Sequence, residues 1–355
     1  MINVTKTFLP DRKKFDRYVD QIWKNNWLTN HGPLVLKLER RLKKKFKVKH
    51  LFLVNNGTIA IQIAIKTLGF TEGEIITTPF SYVATTSSIV WEGFKPVFVD
   101  IEPKTLTIDP DKIESAITNK TRAIMAVHIY GIPCNVEQIE KIAKKHKLKV
   151  IYDTAHAFGV KYKGKSILKS GDISILSFHA TKLFHTIEGG AIITNNNHMA
   201  KKIGYMRNFG HKTPTSFQGL GINGKMNEFC AAMGLSILPS INKIIAKRKQ
   251  ITVLYDQLLK RNSNVSRPQI PKLVKYNYAY YPIIFKTEAL LKKAVRNLKG
   301  HNIHPRRYFY PSLNTLSYVK KIRMPISENM SERVLCLPLF IDLSQENVKL
   351  ICNLI

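Results

Sequence analysis

At 355 residues, 44% of them hydrophobic, the chain can build a large and a small domain around substantial cores, which excludes a disordered or fibrous protein. Lys and Arg total 56 against 24 Asp and Glu, a net charge of +32, and such a balance ordinarily points to nucleic acid, an anionic membrane or anionic substrates. The lysines are spread along the chain, and no RNA-binding consensus, zinc-finger spacing or basic zipper accompanies them, so anionic substrates and a lysine-biased composition explain the charge more simply than specific nucleic-acid recognition.

The start, MINVTKTFLPDRKK, has no secretory apolar region, and no apolar run reaches the roughly 18 residues of a membrane span; a cytoplasmic protein without membrane insertion is expected. The densest basic run, KLERRLKKKFKVKH, places Leu34, Leu38, Leu42 and Phe46 at i, i+4 spacing. That predicts one buried helical stripe with a solvated basic face behind it. HLFLVNNGT then runs apolar into a turn, and IAIQIAIKTLGF follows with helical periodicity. EIITTPF, PVFVDI, RAIMAVHIYG, KVIYD, ISILSF and GAIITN each suit a buried strand, with amphipathic pieces such as NVEQIEKIAKKHK between several of them. From about residue 226 a long helix is predicted, interrupted near Pro239, and the remainder reads as a smaller α/β unit. The expected division is 1–240 for a large domain with a mostly parallel sheet and 241–355 for a small C-terminal α/β domain. Cys134, Cys230, Cys336 and Cys352 lie far apart without C-x-x-C spacing and read as reduced thiols, neither a zinc site nor a disulfide frame.

Two glycine motifs are decoys. GVKYKGKS, residues 159–166, fits the phosphate-loop pattern letter for letter, but TAHAF separates it from the preceding strand and a Gly-Asp turn soon follows. Its alternation of apolar and basic residues predicts a hairpin with its tip at Gly164. GLGING, residues 219–224, fits the dinucleotide-binding pattern without the strand that must precede it, and is expected to be a flexible loop.

Three separated pieces carry chemistry. NNGT lies at a strand-to-helix turn, where helix N-terminal amides hold phosphate, Gly57 permits close backbone approach and the Thr58 hydroxyl can donate. VIYDTAH ends a buried strand with Asp153, at the sheet edge where ligands of open α/β folds bind; the residue suits either a helix N-cap or a partner for a protonated ring nitrogen. SFHATK follows another strand, placing Lys182 on a loop between buried strands, where burial favours the neutral amine that condenses with an aldehyde.

These pieces, with WLTNHGP, TTPFSYVAT, PVFVDIEPKTLTIDPDKIESAI, HIYGIPCNV, SFHATKLFHTIEGGAIIT, GINGKMNEFCAAMGL, RRYFYPSL and LCLPLF, run nearly end to end. Together they resemble the DegT/DnrJ/EryC1/StrS sugar-nucleotide aminotransferases, pyridoxal-phosphate enzymes with the aspartate aminotransferase (type I) α/β fold. Within that group, TTPFSYVATT, SFHATK and GINGKMNEF look closest to enzymes that aminate C4 of dTDP-4-keto-6-deoxyglucose for bacterial surface polysaccharide. A 3-keto or a UDP- or GDP-linked sugar is the alternative, and a polyanion-binding protein or a catalytically idle cofactor-binding regulator stands outside the enzyme class.

The resemblance implies roles. Lys182 would hold the cofactor covalently and shuttle a proton, and Asp153 would pair with its ring nitrogen. Tyr82 and His156 would lie against the ring or near its phenolic oxygen, with core packing as the alternative for either one. Gly57, Thr58 and Ser177 would hold the phosphate. Asn227 would reach into the neighbouring subunit of a homodimer with shared sites, or simply cap its own helix. Lysine at 182, where related sugar 3-dehydratases carry histidine, favours transamination from L-glutamate, with pyridoxamine phosphate as the aminated cofactor. HTIEGG in place of the commoner TTGEGG puts His185 and Ile187 by the site, and PSLNTL carries Asn314 where many relatives have histidine. His185 and Asn314 are therefore expected at the sugar pocket. Arg207 suits either a diphosphate contact or an ordinary surface position.

Overall fold

The computed structural model describes residues 1–355. Its framework is a seven-stranded sheet of β1 (His50–Val54), β2 (Glu74–Thr77), β3 (Lys95–Phe98), β4 (Thr121–Val127), β5 (Lys149–Asp153), β6 (Ile173–Ser177) and β7 (Gly190–Thr194). The spatial order is β1-β7-β6-β5-β4-β2-β3, with β7 antiparallel to both neighbours and every other pairing parallel. Both faces of the sheet are covered, which is why strands such as GAIIT are buried along their whole length instead of alternating.

Helix α1 spans Arg12–Asn25 and α2 spans Pro33–Phe46. The predicted stripe Leu34, Leu38, Leu42 and Phe46 is buried, joined by Val35, and Lys43, Lys44 and Lys45 of the last turn complement the negative end of the helix dipole. The α2 N-terminus is closed from far away in sequence. Both oxygens of buried Glu228 accept backbone amides there, Leu34 N and Val35 N, each at 2.8 Å. Helices α3 (Gly57–Thr67), α4 (Val83–Trp91), α5 (Val136–Lys145) and α6 (Asn197–Met206) complete the crossovers.

Helix α7 (Glu228–Ile237) passes through a short 3-10 turn containing Pro239 into α8 (Ile241–Leu259). This corrects one expectation: Glu228–Leu259 contains a stretch of mean hydropathy 1.5, long and apolar enough to cross a membrane, although half of that stretch is buried within the fold. Ala231, Ala232 and Leu235 of α7 lie in the main core with Leu38 and Leu42 of α2, which is why the helix is so apolar. The C-terminal region forms its own core on an antiparallel sheet of Val265–Ser266, β8 (Tyr281–Phe285) and β9 (Val334–Leu337), covered by α8, α9 (Glu288–Gly300) and α11 (Gln345–Asn353). Helix α10 (Pro325–Arg333) precedes β9. The chain start crosses the expected boundary: Ile2–Asn3 pairs in parallel with Ile303–His304.

The phosphate-loop lookalike is a hairpin. Lys161–Tyr162 pairs with Lys165–Ser166 around Gly164 at φ +76°, and Val274–Lys275 adds a third strand. GLGING is a loop folded back on residues 206–210: a side chain at Gly221 would meet the Gly210 nitrogen at 2.2 Å.

Candidate active site

A cavity of about 380 Å³ opens at the C-terminal ends of the parallel strands, where connections on either side of the sheet diverge. Gly57, Thr58, Tyr82, Asp153, His156, Ser177 and Lys182 all line it.

At one end, α3 points its N-terminus into the cavity. Asn56 caps the helix by accepting the Ile59 amide at 2.8 Å, leaving the Gly57 and Thr58 amides among those that an α-helix cannot satisfy internally. A Cβ at Gly57 would lie 2.8 Å from Ser177 Cβ, so glycine is what lets β6 and the α3 terminus close together. Amide dipoles, a threonine hydroxyl and the Ser177 hydroxyl converge there as donors for an anion.

At the other side, Asp153 is buried at the end of β5. Its Oδ1 accepts the Ala155 amide and its Oδ2 the Thr85 hydroxyl, both at 3.0 Å, while Thr85 also bonds Ser81 Oγ at 2.9 Å. Burial raises the Asp153 pKa above the usual carboxyl range, opposed by the Ala155 and Thr85 hydrogen bonds and by Lys182. A cationic ring nitrogen would restore the ionised form.

Lys182 reaches the cavity from the turn after β6, and its Nζ donates to the Tyr280 hydroxyl at 3.3 Å. Burial lowers its basicity, with Asp153, Tyr308 and Tyr82 acting the other way. His156 accepts the Tyr130 amide on Nδ1 at 3.1 Å, which places its proton on Nε2. Its ring lies parallel to Phe309 at 5.7 Å and tilts against Tyr280 at 4.6 Å. Burial first, and then Lys182, hold the imidazole neutral, its pKa well below the ordinary value. Tyr82 stands exposed ahead of α4 and forms an outer wall.

The donor set fits pyridoxal phosphate: amides and hydroxyls for the phosphate, a buried carboxylate for the ring nitrogen, aromatic walls for the ring, and a lysine whose basicity is lowered by burial. Thr85, Tyr280 and Phe309 belong to this wall but were not singled out from the sequence. Thr85 lies within TTPFSYVATT and was in principle visible; Tyr280 and Phe309 come from the C-terminal third, where nothing local marks them.

His185 and Asn314, expected at the sugar pocket, and Arg207, read as a diphosphate contact or a surface residue, each make other contacts in this structure. Arg207 is buried, donating to Glu39 at 2.5 Å and to the Leu53 carbonyl at 2.9 Å, so its guanidinium holds β1 to α2. His185 is buried, with Nε2 bonded to the Phe8 carbonyl at 2.8 Å and Nδ1 accepting the Ile187 amide at 3.2 Å. Asn314 is buried, donating to the Ile322 carbonyl at 2.8 Å and to Glu328 at 2.6 Å. None of the three lines the cavity. Asn227 lies outside it too: its side chain caps α7 by accepting the Cys230 amide at 2.9 Å, and the residue is exposed.

Comparison with known proteins agrees with this geometry. The DegT/DnrJ/EryC1/StrS aminotransferase family model matches residues 10–355. A dTDP-4-amino-4,6-dideoxy-D-glucose transaminase of Shigella dysenteriae is 44% identical over 361 residues, covering 100% of this chain and 98% of the relative. Among solved structures, DesI in the presence of its TDP-sugar product superposes with a TM-score of 0.93 at 30% identity, covering 99% of this chain and 91% of DesI. The structure of ntda from Bacillus subtilis with bound cofactor PMP gives a TM-score of 0.89 at 26% identity, covering 96% and 81% of the two chains.

Proposed function

The chain belongs to the DegT/DnrJ/EryC1/StrS aminotransferase family, and from that premise we propose that it moves an amino group from L-glutamate to C4 of dTDP-4-keto-6-deoxy-D-glucose. The product is dTDP-4-amino-4,6-dideoxyglucose, a precursor for O-antigen or another surface polysaccharide. It is a pyridoxal-phosphate-dependent transaminase. The observation that carries the reading is that Lys182 and Asp153 line one cavity together with Gly57 and Thr58 of the α3 N-terminus. Bound pyridoxal phosphate supplies the electron sink and the amino-group carrier.

Each residue then has a task. Asp153, oriented by Thr85 and the Ala155 amide, would keep a proton on the ring nitrogen through a charged hydrogen bond worth roughly 1.5–3 kcal/mol. Lys182 would anchor the cofactor, and its amine, once released, would carry a proton to and from the reacting carbon. Gly57, Thr58 and Ser177 would hold the phosphate, and His156 and Tyr82 would contact the ring; all five line the cavity. Neutral His156, its Nδ1 occupied by the Tyr130 amide, would have its Nε2 proton to offer the cofactor's phenolic oxygen.

Asn227 is exposed beside the loop bearing Glu188, which supports a homodimer in which this residue reaches the partner's site. We place the enzyme in the cytoplasm and divide it near residue 240, with residues 2–4 assigned to the smaller unit on which they pair. Incubation with glutamate and a panel of keto-sugar nucleotides, followed by NMR of the product, tests the assignment. Amination at C4 of the dTDP sugar is expected. Preference for a 3-keto, UDP- or GDP-linked sugar overturns it.

A further inference from the structure

The hairpin that imitates a phosphate loop belongs to a cationic face that catalysis does not use. In its three-stranded sheet, Lys161 stands directly opposite Lys275, and Tyr162 opposite Val274. Side chains alternate along a strand, so these pairs occupy opposite faces. Tyr162 and Val274 pack on the main core, which turns Lys161 and Lys275 outward together. Like charges directly opposed across strands are destabilising, and no carboxylate pairs with either lysine. A third cation, Lys45 at the end of α2, joins them: burial and the charges of Lys161 and Lys275 all depress its basicity. Lys163, at the hairpin tip, is the one member with an acid partner, Glu137 at 2.5 Å.

Beside this cluster stands an apolar side chain with no packing role. Leu273 is 70% exposed and sits at φ +65°, a left-handed conformation unusual for leucine. Its carbonyl accepts the Lys163 amide at 3.0 Å, so the turn that presents it is fastened to the hairpin tip. Lys272 and Lys275 flank it and are exposed. Three segments distant in sequence thus bring one protruding leucine into a field of uncompensated lysines.

We propose that this face docks on an anionic lipid bilayer, with Lys45, Lys161 and Lys275 against the headgroups and Leu273 inserted at the acyl boundary. Juxtamembrane lysines and a shallow apolar anchor are the two elements of reversible interfacial binding. A single-stranded nucleic acid would need exposed aromatic rings for stacking, and the aromatic residue here, Tyr162, packs inward instead. The inference is independent of the sugar assignment.

The test is co-sedimentation of the full-length enzyme with phosphatidylcholine vesicles, with or without phosphatidylglycerol, at low and high salt. Binding is expected only with phosphatidylglycerol and is expected to fall with salt. At roughly fivefold per lysine, Lys45→Gln/Lys161→Gln/Lys275→Gln should weaken partitioning about a hundredfold. Lys293→Gln/Arg296→Gln/Lys299→Gln, which removes the same charge from exposed positions of α9, should change it less than about threefold. Leu273→Ser should weaken binding severalfold at unchanged charge. Both lysine variants should keep transaminase activity, and relief of the opposed lysines should leave the melting temperature of the first no lower than wild type. Equal loss in the two triple variants, or no preference for phosphatidylglycerol, overturns the proposal. So does retention of DNA in preference to vesicles with Leu273→Ser silent, which would assign the face to nucleic acid.

Discussion

Lys182 Nζ donates to the Tyr280 hydroxyl at 3.3 Å, a bond between a loop of the large sheet and a strand entrance of the C-terminal region 98 residues away. A charged hydrogen bond is about twice as strong as a neutral one, so this hydroxyl favours the ammonium over the amine. Tyr280→Phe should therefore lower the Lys182 pKa further, and the acid limb of the transamination pH profile should move down by about half a unit to one unit. A fall in kcat with the limb unmoved would show that Tyr280 only packs.

Asp153 gives a prediction with opposite signs for stability and activity. Its folded pKa lies above the ordinary 3.8, so the carboxylate costs the cofactor-free fold stability at pH values above the folded pKa, and none below 3.8, where both states are protonated. Asp153→Asn should melt higher than wild type at neutral pH without cofactor, and the gap should close as the pH falls to 3.8. Transamination should drop about 10- to 100-fold as the charged bond to the ring nitrogen is lost. Thermal scans across pH, paired with rate measurements, check both halves.

Gly57→Ala inserts a methyl 2.8 Å from Ser177 Cβ. Crowding of this kind costs about 1–3 kcal/mol, and here it also pushes the α3 amides away from the anion position. Equilibrium titration with pyridoxal phosphate should show about tenfold weaker binding or worse. Unchanged affinity would mean that the phosphate sits elsewhere.

Ile187 occupies φ +69°, where a β-branched residue is strained and glycine is not. Ile187→Gly should stabilise the protein by about 1 kcal/mol despite the added chain entropy. A rise in denaturation midpoint at unchanged m-value is the expected signature.

Glu228 receives two amides of α2 with almost no exposure to solvent. Glu228→Ala leaves both donors buried and unpaired, at a cost on the order of 2 kcal/mol or more. Glu228→Gln should cost less, because its carbonyl can still accept one of them. Urea denaturation of the two variants distinguishes the cap from simple side-chain volume.

Much of the fold was readable because its signals are local. Buried parallel strands appear as short apolar runs, the α2 stripe repeats every four residues, and Gly164 marks its own turn. The place of Lys182 and Asp153 in the cavity was readable because Asp153 ends a strand and Lys182 follows one, and strand ends are where an α/β sheet gathers its ligands. What escaped was pairing across long separations. Nothing near Arg207 announces Glu39, 168 residues away, and nothing near Glu228 announces Leu34, 194 residues away. A polar residue near a strand end looks the same in sequence whether it faces ligand or a distant helix. His185 and Asn314, whose bonds run to Phe8 and to Ile322 and Glu328, are two such residues. The pairing of Ile2–Asn3 with Ile303–His304 escaped likewise, since two-residue strands carry no periodicity.

The most direct measurement is borohydride reduction of protein reconstituted with pyridoxal phosphate, followed by mass spectrometry of its peptides. A single reduced cofactor adduct on Lys182, absent after prior amination of the cofactor by glutamate, is the predicted result. An adduct on any other of the chain's many lysines, or no adduct at all, would contradict the assignment.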